Sequence, residues 1–448
     1  MARTMHNLAR VAPRRSGPAA EPRSQALGRT NRFGMAQAET VLGVVAVLAI
    51  AATVLAGTMG AAIFLAATFA LIGIRPAQSA RDLARFAPLL LLPLLAMIST
   101  IWSDAPERTL RAGIQLMITI MAAIIVCRRV SGTTLIAVLF AAYTAMCLAS
   151  LATLPASIAS GTPMIGLFDS KNQFAFVSHL LFAVSLAVIV DRRQHMLLRI
   201  GAVAAVPLSI LLVVLAQSAG ATTSIAVTLL TFPAFLLLGR VAMSIRIAML
   251  VATLIALVLV LAFLPDILSA WTDFQVHVLK KDATLTGRTY LWDFAARLGA
   301  ERPLLGHGYY AFWRIGNIDA EGLWRWADIR NRSGFNFHNM FVEMRVDLGW
   351  IGAGLFVATS VAIAVASLIR QFTRGDVAVS FLLAMLVVLY IRSYTESTLI
   401  GPFNMLTFLW IATAIYACSG IRGPSSAANP GASRAVQAAR ARLVQARV

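Results

Sequence analysis

Long apolar runs, broken by short basic clusters, occupy most of the chain. A bilayer-spanning helix needs about 20 mostly apolar residues. On that measure the pattern predicts twelve helices, over roughly 39–56, 58–74, 86–102, 110–127, 133–154, 173–190, 199–216, 219–238, 243–264, 349–369, 376–392 and 399–418. Residues 39–74 form one uncharged run after Glu39, too long for a single crossing, and are divided near Gly57. Residues 199–238 are divided at the polar stretch Gln217–Ser224. At both divisions a re-entrant segment is the alternative. The expected fold is an all-α polytopic membrane protein with about 12 transmembrane helices and one long outer, periplasmic loop containing short helices. Its parts are a disordered basic cytoplasmic tail (1–38), helices one to nine (39–264), the outer loop with the entry to helix ten (265–348), helices ten to twelve (349–418) and a second basic tail (419–448).

Composition supports this division. Of 448 residues 59% are hydrophobic and only 13% charged, half the usual charged share of about 25% in a soluble domain. A net charge of +19 in a soluble protein would suggest nucleic acid. Here the basic residues fall between apolar runs, which instead fits the excess of Lys and Arg in cytoplasmic loops. With the N-terminus cytoplasmic, 24 of the 38 Lys and Arg lie on the cytoplasmic side with five acids, and 14 lie outside with fourteen acids. The whole net charge is then inside. No nucleic-acid partner is expected. Residues 435–448 read as a solvated basic tail, with a helix lying on anionic lipid as the alternative. Three cysteines, Cys127, Cys147 and Cys418, are too few for a disulfide framework, and no His/Cys spacing suggests zinc.

One connection differs from the others. Residues 265–338 are too polar to span and too long for a turn. They hold thirteen aromatics, including Trp271, Trp292, Trp313, Trp324 and Trp326, more than an interfacial belt requires. They read as a cap over a cavity, with flat apolar faces for sugar rings or lipid. Residues 288–300 have helical periodicity, ended by Pro303. Gly306-His307-Gly308 reads as a tight turn whose backbone N–H groups approach a ligand.

Several short motifs in this region occur in a recognisable order: Leu285-Thr286-Gly287-Arg288-Thr289-Tyr290-Leu291-Trp292, Pro303-Leu304-Leu305-Gly306-His307-Gly308-Tyr309, His338-Asn339, and Asp347-Leu348-Gly349-Trp350-Ile351-Gly352. Together they resemble the O-antigen ligase and polymerase superfamily, which includes Wzy-type polymerases and ExoQ-like exopolysaccharide production proteins. Upstream, Gly166-Leu167-Phe168-Asp169-Ser170-Lys171-Asn172 is similar to the family's outer-loop motif, closer to the ExoQ branch. The resemblance spans roughly 160–420. One departure stands out: the family's basic residue near the outer ends of spans seven and eight has no counterpart in Gln217–Ser224.

The resemblance implies transfer of a glycan from a polyprenyl-diphosphate-linked oligosaccharide to an acceptor hydroxyl, at the outer face of the bacterial inner membrane. That chemistry requires cations for the diphosphate, a base for the hydroxyl proton and an apolar lateral cavity for membrane lipid. No Walker-type loop and no acidic cluster with Mg²⁺ spacing occur, so neither cofactor nor metal is expected. His338 is the first choice for the base, against an ordinary interfacial histidine. Arg288 is the leading diphosphate ligand, because its planar fork suits phosphate, against a surface arginine that a helix N-terminus disfavours. These two are the expected catalytic residues. Lys171, Asn172, His307, Tyr309, Asn339 and Arg345 are the expected substrate-binding residues. Arg345, seven residues after His338, would share a helix face with it. Glu343 reads as a structural pair or a group tuning the histidine. Arg392 and Glu396 are expected to pair, and His179 inside a span to bond a neighbouring helix.

Polymerisation of repeat units into exopolysaccharide is the leading reading, with a chain-length regulator and export proteins as partners. A ligase joining a glycan to lipid A core or protein is the first alternative. A polysaccharide or lipid transporter or flippase is the second, though no internal repeat relates 39–238 to 243–418. A non-catalytic scaffold for an export complex is the third, and it would not require His338 or Arg288.

Overall fold

The computed structural model describes residues 23–263, 266, 287–332 and 334–419. Among them every regular element is helical. In chain order these are α1 (Arg23–Ile74), α2 (Pro76–Arg85), α3 (Leu91–Ile98, between two short 3₁₀ turns), α4 (Pro106–Arg129), α5 (Gly132–Ser150), α6 (Leu154–Ser160), α7 (Lys171–Val190), α8 (Met196–Leu215), α9 (Ala219–Leu238), α10 (Met243–Ala262), α11 (Arg288–Glu301), α12 (Ile318–Trp326), α13 (Met340–Thr373), α14 (Val377–Ser393) and α15 (Met405–Ser419). The chain is an all-α polytopic membrane protein. Seven of its described helices are long and apolar enough to cross a bilayer, or up to eight if the pair bent by 78° at Phe86 counts as one. Helices Val377–Ser393 and Met405–Cys418 are apolar but shorter.

Helix lies at each of the twelve segments expected from the apolar pattern. The division near Gly57 has a structural basis: φ 51 and ψ −123 there lie outside helical geometry. A side chain at Gly60 would meet the Ala49 carbonyl and the Thr53 backbone at about 3 Å, so the chain folds back on itself. Three boundaries differ from expectation. Helix α1 begins at Arg23, inside the segment read as disordered, because its Ala, Gln and Arg residues continue the helical run that follows. Helix α13 starts at Met340 rather than 349, and the last helix at Met405 rather than 399. The predicted 285–286 motif residues, Trp271 and the tail helix at 435–448 lie outside the described residues.

Charge asymmetry is matched by two separate ends. At one, Asp82 binds Arg128 at 2.9 Å and Arg129 at 2.7 Å, and Glu39 binds Arg75 at 2.7 Å. Gln194 donates to the Thr133 carbonyl at 2.8 Å, and Arg193 bridges Asp191 and Asp376. Gly239 and Gly375 meet backbone to backbone. The basic connectors therefore lie together. The segments predicted to be outer meet at the opposite end, where Asp104 touches His307, Asn172 touches Ser218, and Asn339 touches Ser397.

Helix α7 is central. Fourteen of its twenty residues are buried, and it is apolar on all sides, as a helix surrounded by others must be. It packs on α5, α8, α9 and α14. Helices α8 and α9 expose Val203, Leu211, Val214 and Leu230, an apolar surface suited to lipid.

A break in α13 joins bundle and cap. At Gly349, φ 64 and ψ −164 interrupt the helix. The interruption frees backbone groups on both sides, and residues 303–308 take them up. Trp350 N–H donates to the Pro303 carbonyl at 2.8 Å and Ile351 N–H to Leu304 at 3.2 Å. His307 N–H donates to Val346 at 2.9 Å and Gly308 N–H to Asp347 at 2.9 Å. The approach leaves no space for a side chain, since a Cβ on Gly349 would lie 2.3 Å from Leu304 and one on Gly306 2.6 Å from Asp347. Gly349→Ala must therefore lower stability by more than the ~1–3 kcal/mol of left-handed strain alone. Thermal unfolding of the purified protein in detergent would show this as a lower midpoint than wild type. An unchanged midpoint would refute the clasp.

Candidate active site

Three distant segments converge at the end opposite the basic connectors. The first is the His338-Asn339 pair at the start of α13. Asn339 is the helix N-cap, and its side-chain oxygen accepts from the N–H groups of Phe341 (3.0 Å) and Val342 (3.2 Å). Its own N–H donates to Ser397 Oγ at 3.0 Å. His338 thus stands just before the helix, with φ 51, a left-handed conformation uncommon for a residue with a side chain. Its N–H donates to Asn336 Oδ1 at 2.8 Å, and its ring sits edge-on to Phe335.

One turn into the helix, Glu343 holds the preceding strand of chain. Its carboxylate accepts the Phe337 N–H and the Trp313 indole N–H, each at 2.9 Å. Trp313 packs among Phe312, Phe335, Phe337 and Trp324, so the aromatic cap and the histidine share one support.

The second segment supplies Glu396, three residues past the end of α14. Its Oε2 lies 3.4 Å from His338 Nδ1. The third supplies Arg288, first residue of α11, whose Nη2 lies 3.7 Å from Glu396 Oε1. Gly287 before it has φ 82, and a Cβ there would run into the Trp326 ring. The arginine at a helix N-terminus, unfavourable for the helix dipole, thus faces a carboxylate. The side chains of His338, Glu396 and Arg288 are 28%, 20% and 21% exposed, so a ligand can reach all three.

Burial by itself would raise the Glu396 carboxyl. The hydrogen bond from His338 and the positive charge of His338, Arg392 and Arg288 outweigh it and hold the carboxyl below its usual range. Glu396 is therefore ionised near neutrality. When the imidazole is neutral, Glu396 favours the tautomer in which His338 Nδ1 carries its proton toward the carboxylate, with the Nε2 lone pair free; when it is protonated, Glu396 stabilises the cation. Arg392, at the end of α14, brings a cation to the Gln217–Ser224 patch, with its guanidinium 4.0 Å over the Phe176 ring and beside Gly220.

Comparison with known proteins gives the family. The O-antigen ligase family matches residues 204–357. The exopolysaccharide production protein ExoQ of Rhizobium meliloti (strain 1021) is 30% identical over 327 residues, covering 72% of this chain and 74% of ExoQ. The chain belongs to the O-antigen ligase and polymerase superfamily. It is a bacterial multi-pass membrane protein of the exopolysaccharide-related, ligase- or polymerase-type group. The family match includes Arg288 and His338 but ends before Arg392 and Glu396.

Membership does not bring every residue singled out in the sequence to one place. Asn172 accepts from Ser218 Oγ at 3.1 Å and so borders the α9 patch. Lys171 lines a different hollow of about 440 Å³, with Thr153, Ser157, Ser160 and Thr162. His307 Nδ1 lies 2.9 Å from Asp104 and its Nε2 3.1 Å from the Leu298 carbonyl, so both ring nitrogens are engaged within the fold. The Gly306-His307-Gly308 N–H groups, expected to meet a ligand, are spent on Arg302 and α13. Tyr309 is fully buried; its N–H donates to Ser99 Oγ at 3.1 Å and its hydroxyl has no hydrogen-bond partner. Arg345 does not share a face with His338, because His338 lies outside the helix. It stacks 4.8 Å over Trp350 and against Gly299, eleven residues and about 16 Å along α11 from Arg288. Arg392 and Glu396 make no ion pair with each other within 4 Å; Glu396 turns to His338 and Arg288 instead. His179 bonds Thr228 on the neighbouring α9 at 2.8 Å, the interhelical contact expected of it.

Glu396 was not a candidate for catalysis. The available signal was an acid one turn past Arg392, just beyond an apolar span. Its depressed titration sets a pH dependence. A carboxyl lower in the folded than in the unfolded chain adds stability above its ordinary 4.5 and loses it as pH falls through the depressed value. Glu396→Gln should therefore melt below wild type at pH 7, and the gap should close in acid. Paired thermal scans at pH 7 and pH 3 check this; a gap independent of pH would contradict it.

Proposed function

We propose that the protein is a glycosyltransferase that polymerises polyprenyl-diphosphate-linked oligosaccharide units into exopolysaccharide at the outer face of the inner membrane. The observation that carries the reading is the convergence of His338, Glu396 and Arg288, a base, its orienting carboxylate and a phosphate-binding cation, at the end opposite the basic connectors. By the excess of basic residues that end is the outer one, with both termini cytoplasmic.

The acceptor sugar hydroxyl gives its proton to His338 Nε2 while its oxygen forms the new bond to the anomeric carbon. The bond from that carbon to the diphosphate oxygen breaks, and its electron pair leaves with the lipid diphosphate. Arg288 opposes the charge that grows there, in a site where burial strengthens the attraction. Glu396 keeps the imidazole oriented and stabilises it once protonated. No nucleotide enters the step. Membrane lipid, a chain-length regulator and export proteins are the partners this activity calls for.

A ligase would use the same residues with another acceptor, and the matched family is described by that activity. Polymerisation is preferred because similarity to an exopolysaccharide production protein extends over 72% of the chain, far beyond the family match.

Reconstituted protein supplied with lipid-linked repeat units should give a ladder of lengths; a single transferred product would mean a ligase. In cells, His338→Ala should leave the protein abundant while polymer falls by roughly 10²–10⁴-fold and lipid-linked units accumulate outside. Arg288→Ala should act alike. Unchanged polymer in both variants would remove the enzymatic reading, and units trapped in the cytoplasm would indicate a flippase. Arg345→Ala, away from the cluster, should lower the melting point without abolishing the ladder.

A further inference from the structure

Between α9 and α14, beside the cluster just described, lies a small hollow of about 120 Å³. Gly220, Thr223, Ser224 and Val227 form one wall, and Val388, Ile391, Arg392 and Thr395 the other. The hollow has room for several water-sized groups but not for a sugar chain. Arg392 is the charged residue in its lining. The Arg392 Nε atom is buried without a hydrogen-bond partner, and among the described residues the side chain makes no ion pair within 4 Å. Its guanidinium rests on the Phe176 ring. The missing side chain of Gly220 opens the approach, since even a Cβ there would stand 3.6 Å from Arg392 Nη1.

A guanidinium held on an aromatic face, half out of water and with an unfilled donor, is costly unless something anionic completes it. The hydroxyls of Thr223, Ser224 and Thr395 already donate to the Ala219, Gly220 and Arg392 carbonyls, so the guanidinium of Arg392 is the donor that this lining holds toward an anion. The nearby carboxylate, Glu396, is already engaged by His338 and Arg288. The half-buried Val227 and the exposed Ile391 at its edge would suit a hydrocarbon chain.

We infer that this hollow is a phosphoryl subsite in which Arg392 grips the diphosphate of a lipid-borne ligand. The identity of the biological ligand rests on the donor chemistry proposed above; the anion site itself does not. Arg288 and Arg392 then hold the diphosphate from two elements, with Glu396 lying between their charges.

Calorimetric titration of the full-length protein in detergent, with inorganic pyrophosphate and with farnesyl diphosphate, tests it without any glycan. Wild type should bind both, the prenyl form more tightly. Arg392→Gln should weaken both roughly ten- to hundred-fold, and Arg392→Lys less. Gly220→Val, which keeps the arginine and fills the entrance, should also lose binding while melting near wild type. An unchanged affinity in a folded Arg392→Gln overturns the subsite. Equal affinity of the two probes overturns the lipid-borne source. Binding that depends on Arg392 in a protein that makes no polymer would leave the subsite standing and overturn only the glycosyltransferase reading.

Discussion

A helix that breaks near a membrane must find partners for the backbone groups it frees, because hydrocarbon offers none. The break at Gly349 is where this constraint acts on the whole molecule. The loop 303–308 answers it with two acceptors and two donors. Because that loop directly follows α11, the same contacts that satisfy α13 fix the helix carrying Arg288. His307 extends the clasp to Asp104, which also binds Arg302 at 2.8 Å. Bundle and cap are therefore one structure at this point. A histidine that sequence reading places in the chemistry serves instead to lock the scaffold.

The site shows the same economy. Asn339 caps α13 and donates to Ser397, so one residue sets both where the helix begins and where the segment carrying Glu396 lies. Glu343, one turn later, fixes the chain before His338 and the Trp313 ring. The imidazole is held by its neighbours on both sides in an uncommon backbone conformation. Such conformations persist where surrounding contacts over-determine them, and they concentrate at functional sites. Preorganisation of this kind is what an electrostatically assisted transfer needs, since the dipoles and charges are in place before the reaction begins.

Charge in this protein is divided by task. The basic connectors neutralise acids among themselves, as Arg128 and Arg129 do around Asp82. At the other end the balance is more open. Glu396 is shared by two partners at 3.4 and 3.7 Å, and Arg392 rests on an aromatic ring rather than a carboxylate. Loose pairing leaves cations available to an incoming anion, whereas the tight pairs opposite are already complete.

Much of this was legible in the chain itself. Apolar run length gave a helix at each expected segment, even the fold-back at Gly57, because a bilayer imposes a length that sequence must honour. The basic connectors declared their common end for the same kind of reason: charge is read locally. His338, Arg288 and Asn339 could be named from ordered motifs. What those motifs could not give is who faces whom. His338 and Glu396 are 58 positions apart, and their meeting depends on where α13 starts and on the direction each side chain takes. A shift of one cap residue placed His338 before the helix and sent Arg345 to Trp350, against the seven-residue spacing. Arg392 took up the α9 patch only because α14 packs beside α9. Local periodicity fixes elements and ends; contacts between remote segments are set by packing, which no short stretch of sequence contains.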